Sequence, residues 1–92
     1  MTEEAFRQRA HELGYRDIQF KDYAPNTDGP LHVHGFSVML LVVSGEFSLA
    51  FEDGTTTYAP GECCELPAEV VHTERTGAMG AKVILGKRPV AP

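Results

Sequence analysis

The sequence has no apolar run long enough to cross a membrane as a helix, no excess of positive charge and no cysteines spaced for a disulfide. Each shortage removes a class of function. A membrane span needs about 20 predominantly apolar residues, and the run Val38 to Val43 is only the length of a strand. Eight Lys and Arg stand against thirteen Asp and Glu, giving a formal charge of −5 and a pI near 5.2. The basic residues are scattered, which opposes electrostatic capture of nucleic acid or anionic lipid. Met1 to Ala10 carries charges where a secretory signal would need an apolar core of roughly 7–15 residues, so a cytoplasmic setting is expected. Cys63 and Cys64 are adjacent and cannot adopt unstrained disulfide geometry. A small reduced domain can instead gain stability from a metal or from oligomerisation. There is also no Ser-His-Asp arrangement, P-loop or dinucleotide fingerprint, so any catalysis is expected to come from a metal.

The 92 residues are 42% hydrophobic and 23% charged, the balance of one globular domain. Residues 1–14 read as an N-terminal helix within that domain and residues 15–92 as a β-barrel. Thr2 is the expected N-cap, Glu3 and Glu4 suit the positive end of a helix dipole, and Phe6, Ala10 and Leu13 form one apolar stripe. Gly14 supplies the stop.

From Tyr15 onward the pattern changes to short alternating runs broken by turn residues, the signature of an all-β sandwich or barrel. Ile18 and Phe20 alternate with polar neighbours, and residues 24–30 form a loop leading to His32. The run 38–43, closed by Ser44-Gly45, predicts a strand buried on both faces. Phe47, Leu49 and Phe51 alternate into Asp53-Gly54, which predicts a type I′ hairpin. Pro60-Gly61 makes the next turn, followed by strands at Glu62–Leu66, Val70–Glu74 and Lys82–Leu85.

His32 and His34 are one residue apart, so on a strand both rings point to one side, close enough to grip one ion. Neutral imidazole is the commonest nitrogen ligand for transition metals. His72 lies on a stretch where Val70, His72 and Glu74 share a face, and closing the sheet can bring its ring to the other two.

From His32 to His72 the chain resembles the cupin superfamily in both of its motifs. The first motif runs G-x5-H-x-H-x3-E-x6-G, and His32, His34 and Gly45 fall at its spacing. The second runs G-x5-P-x-G-x2-H-x3-N, matched by Gly61, Pro67 and His72. Val38 replaces the motif glutamate, and neighbouring Met39 supplies no oxygen. Asn26 and Glu69 replace glycines, and Thr76 replaces asparagine. Asn26 is a mild change, whereas Glu69 predicts a different turn.

The resemblance implies a small antiparallel cupin or jelly-roll β-barrel with one short N-terminal helix, holding one divalent transition metal through His32, His34 and His72. A three-histidine face without a carboxylate resembles the sites of some thiol and diketone dioxygenases, which implies iron. Zinc, nickel or manganese also suit imidazole ligands. The uncompensated charge of such an ion favours an anionic or chelating small molecule. The expected function is therefore a metal-dependent enzyme, such as a dioxygenase, acting on a small acid, thiol or chelating molecule. The alternative is a non-enzymatic module that binds or senses a small molecule, its metal structural or ligand-holding.

Three further residues are weaker catalytic candidates. Cys64 shares its strand face with Leu66 and can face the cavity, although a buried free thiol ordinarily behaves as a small hydrophobe. Glu74 can replace the missing carboxylate or orient an imidazole. Tyr58 can turn inward beside Phe47, Leu49 and Phe51 and donate to a ligand, or simply pack. His11 lies off the helix stripe and is expected to be exposed. Strand edges and apolar outer faces predict a homodimer.

Overall fold

A computed structural model describes residues 1–90. Helix α1 spans Glu3–Glu12, and the Thr2 side chain accepts a hydrogen bond from the Ala5 N–H at 3.1 Å, as expected of its cap. Phe6 and Ala10 are fully buried, and the chain leaves the helix through Gly14 at φ +85°. His11 is exposed. Among the described residues no helix is long and apolar enough to cross a membrane.

The rest is one antiparallel sheet of β1 (Arg16–Tyr23), β2 (Phe36–Phe51), β3 (Gly54–Tyr58), β4 (Cys63–Leu66) and β5 (Thr73–Pro89), in the order β1-β5-β2-β3. β5 follows β2 along its length. β3 takes the Phe47–Phe51 half of β2 and β4 takes Val38–Leu41.

The sheet is not a closed barrel, contrary to the sequence expectation. β1 ends it on one side and β3 with β4 on the other, and among the described residues no ladder joins them. The physical reason lies in residues 24–35. Pro25, Gly29, Pro30 and Gly35 interrupt this stretch, so it meets the β5 side through two single pairings, Asp28 with Arg75 and His32 with His72. Proline cannot donate to a ladder.

Two expected strand breaks are bends within long strands. Ser44-Gly45 does not end a strand; the register of β2 on β5 shifts there and β2 continues. Gly45 (φ +80°) and Gly80 (φ +70°) face each other so closely that a Cβ on Gly45 would lie 2.1 Å from the Gly80 carbonyl oxygen. Of the strand expected at Val70–Glu74 only Thr73 and Glu74 are strand, and they open the same run, β5, that passes through the expected Lys82–Leu85. The β2–β3 hairpin turns on Glu52-Asp53, one residue earlier than expected, and neither residue has positive φ, which excludes type I′. Pro60-Gly61 does form the expected turn, with the Glu62 N–H donating to the Ala59 carbonyl and Gly61 at φ +89°.

The run in β2 is buried on both faces from Val38 to Val42, as predicted, while Val43 is exposed. Met39 and Leu41 join Ile84 and Tyr15 beneath Phe6 and Ala10 of α1. Val38, Leu40 and Val42 join Phe47, Leu49, Leu66, Val83 and Leu85 on the other face. That second face lines a cavity of about 100 Å³. In β1 an irregularity between Arg16 and Gln19, with Asp17 at φ +56°, sets which side chains face it. Lys21 and Tyr23 line the cavity, Ile18 packs on the α1 side and Phe20 is exposed, so the expected apolar face of this strand is not the cavity face.

Candidate metal centre

The loop that fails to become a strand carries His32 and His34. The His32 N–H donates to the His72 carbonyl at 3.0 Å and the His72 N–H returns the bond at 2.9 Å, while the His34 carbonyl accepts from the Glu69 N–H at 2.9 Å. Glu69 sits at φ +65°, in the left-handed region that glycine adopts freely and other residues rarely do. Asn26 does the same at φ +55°.

These contacts bring the rings together although His32 and His34 do not lie on a regular strand. Ring centroids are 4.9 Å apart for His32 and His34, 4.3 Å for His32 and His72, and 5.1 Å for His34 and His72. Glu74, near the start of β5, adds a carboxylate oxygen 3.0, 3.9 and 3.6 Å from the Nε2 atoms of His32, His34 and His72. One ligand atom from each of the four residues lies within 4.8 Å of the others. Val38, at the motif glutamate position, packs in the core. The carboxylate thus returns from a different strand.

The chemistry of this donor set fits a divalent cation. His72 is fully buried, its Nδ1 lies 2.9 Å from the Val70 carbonyl and its Nε2 has no hydrogen-bond partner. A carbonyl only accepts, so Nδ1 carries the proton and Nε2 presents a lone pair. In His32 the Pro30 carbonyl lies 2.8 Å from Nδ1, leaving the Nε2 lone pair facing Glu74 at 3.0 Å. An acceptor facing a carboxylate in a half-buried site is repulsive unless a cation or proton lies between them.

The electrostatics point the same way. Burial, then the charges available to His72 and His32, lowers the pKa of His34 and favours its neutral form. Burial pushes the Glu74 carboxyl up, but the Tyr23 hydroxyl, a proton shared with His32 Nε2 when no cation lies between them, and the Lys21 charge outweigh it and hold the group below its usual range.

Sequence reasoning missed Tyr23. Burial and the Glu74 charge push its pKa upward, so it keeps its proton and donates to Glu74. Alternation puts Lys21 and Tyr23 on one face of β1, but Phe20 marks the opposite face as the apolar one, so the sequence pattern points away from Tyr23. Phe36 was also missed; His34 stacks on it at 4.8 Å with an interplanar angle of 24°.

Two candidates fall elsewhere. Tyr58 and Cys64 hydrogen-bond to each other and neither lines the cavity. Cys64 faces the same core as Leu66, and burial pushes its thiol up to about 12, the behaviour of an inert hydrophobe. A broader open groove of about 1100 Å³, among Leu31, Phe51, Val71 and Arg75, contains none of the four clustered residues.

Several solved structures share the fold. A protein of unknown function from Rhizobium leguminosarum is 25% identical with a TM-score of 0.74, over 79% of this chain and 69% of that one. KdgF from a Halomonas species is 21% identical with a TM-score of 0.65, over 88% and 90%. The polyketide cyclase RemF from Streptomyces resistomycificus is 22% identical with a TM-score of 0.64, over 82% and 60%. No curated protein matches the sequence. The cupin domain family matches residues 19–84, from within β1 to within β5, a span that includes the whole His/Glu cluster, and this chain belongs to the cupin domain family.

Proposed function

We propose that this cupin chain is a metal-dependent enzyme acting on a small acid, thiol or other chelating molecule. His32, His34 and His72 hold one divalent transition metal, with Glu74 as the fourth donor. One observation carries the reading: the buried, unpartnered Nε2 of His72 faces three other donor atoms beside a cavity. Such an ion supplies Lewis-acid polarisation of a bound oxygen or sulfur.

The chain's own residues do the rest. Carbonyls of Pro30 and Val70 fix two imidazole tautomers. Tyr23 holds a proton at its hydroxyl and orients Glu74. Phe36, Leu40 and Leu85 give the cavity an apolar wall. Three neutral imidazoles and one carboxylate leave a single positive charge on a divalent ion, which still favours an anionic ligand. The shared fold of a polyketide cyclase is compatible with catalysis, although a fold alone does not assign a reaction. Iron with oxygen as co-substrate is the dioxygenase form of this reading, and zinc, nickel or manganese gives a non-redox form.

The test begins with metal analysis of untagged protein. One equivalent in the wild type and less than about a tenth in His72→Ala are expected; a metal-free wild type that also refuses added iron, zinc, nickel and manganese would end the reading. Metal-loaded protein is then assayed over small acids, thiols and diketones, with and without oxygen. Tight binding with no turnover anywhere would replace the enzyme by a sensing module. We also propose a homodimer, supported by the open sheet edges and the exposed Leu31, Val33 and Val71. A monomer mass at micromolar concentration would remove it.

A further inference from the structure

The chain has three lysines, and two of them, Lys21 and Lys87, line the small cavity. This is an unusual allocation for a protein with thirteen acidic residues. Each of the two is seated on an aromatic ring of the cavity wall. The Lys21 ammonium lies 4.7 Å from the ring centroid of Tyr23, and that of Lys87 lies 5.0 Å from the centroid of Phe36. Those rings in turn contact the cluster, Tyr23 through its hydrogen bond to Glu74 and Phe36 through its stack on His34. The two cations therefore flank the cluster from two walls. Among the described residues neither forms an ion pair.

Lys21 and Lys87 thus bring two positive charges to a cavity whose one lining carboxylate, Glu74, feels the Lys21 charge without forming an ion pair with either lysine. Cation–π contact restrains the two side chains while leaving the N–H donors of each ammonium available. The size of the space limits the partner: about 100 Å³ holds roughly three waters' share of liquid volume, so a molecule of a few carbons fills it. Leu40, Leu49 and Leu85 line the same space and give its middle no polar group to bind.

We propose that Lys21 and Lys87 are specificity residues that select a short-chain carboxylate, dicarboxylates above all, for this cavity. One anionic end lies on a lysine and the other reaches the histidine cluster. The proposal rests on the metal reading for that second end only. The lysine end stands without it.

The experiment measures binding of malonate and of its neutral counterpart malonamide, which has the same number of heavy atoms, by calorimetry. It uses metal-free and zinc-loaded protein, in the wild type and in Lys21→Met, Lys87→Met and Lys82→Met. Methionine preserves packing on the aromatic ring and removes the charge. Lys82, seated against the exposed Phe20 and absent from the cavity lining, is the control. Expected are a preference for malonate over malonamide, a loss of about tenfold in malonate affinity for Lys21→Met and for Lys87→Met, and no change for Lys82→Met.

Wild-type-like malonate binding in both cavity variants would overturn the proposal, as would equal affinity for malonate and malonamide. Zinc stoichiometry, measured on the same samples, reports separately on the metal centre. If it stays at one per chain while the lysines prove irrelevant, the lysine proposal fails alone. If zinc does not bind but malonate still depends on the lysines, the metal reading fails alone.

Discussion

Tyr23 keeps its proton because burial and the neighbouring Glu74 charge both oppose the phenolate, so its hydroxyl remains a donor to that carboxylate. Tyr23→Phe removes the donor without opening space. We expect metal affinity to fall by about 10–100-fold, the usual cost of losing a partner that orients a ligand, read by competition with a chromogenic chelator. Cys64 behaves in the opposite way, as a group best left alone. Its pKa rises from about 9 to about 12 on folding. The unfolded chain loses this proton first, so the stability it contributes is complete below about pH 9 and is lost as pH rises toward 12. A urea midpoint that does not fall between pH 8 and pH 10.5 would contradict this, as would rapid alkylation of Cys64 in the folded protein at pH 8. The histidines were legible because spacing alone pairs His32 with His34 and places Gly45, Gly61, Pro67 and His72 in register with known motifs. Glu74 was legible through its alternation with His72. Tyr23 was not, because a local irregularity at Asp17 decides which face of β1 turns inward, and a left-handed aspartate leaves no mark in the hydrophobic pattern.

At the level of elements, α1 was read almost to the residue, since capping and a 3.6-residue stripe are local properties. The long strands were not. Ser44-Gly45 has the composition of a turn, and only the facing Gly80 shows that the two glycines let paired strands bend together without breaking. Closure of the sheet was misread for a related reason: the prolines of the 24–35 loop remove ladder donors, and motif spacing does not report whether a segment pairs. Gly45→Ala tests the bend. Its Cβ would overlap the Gly80 carbonyl at a positive φ that alanine disfavours, and a loss of more than about 2 kcal/mol is expected from urea unfolding. Gly54→Ala, at a turn with open space around its Cβ position, keeps the backbone penalty but not the clash and is expected to cost less.

For the whole molecule, the cluster joins the loop before β2 to the start of β5, so an ion there links segments distant in sequence. A ligand that binds only the folded state stabilises it by about 2.7 kcal/mol at a hundredfold excess over its Kd. For a domain this small that corresponds to a Tm rise of roughly 10–20 °C, reversed by chelator. An unchanged melting curve on addition of zinc or iron would argue against a site that forms only on folding. The placement of β1 has a further consequence. This strand is hydrogen-bonded on one side only, yet it supplies Lys21 and Tyr23 to the cavity wall. Peeling of the border strand and emptying of the pocket then become a single equilibrium, so amide exchange along residues 19–23 should slow when an anion is held and quicken when it departs.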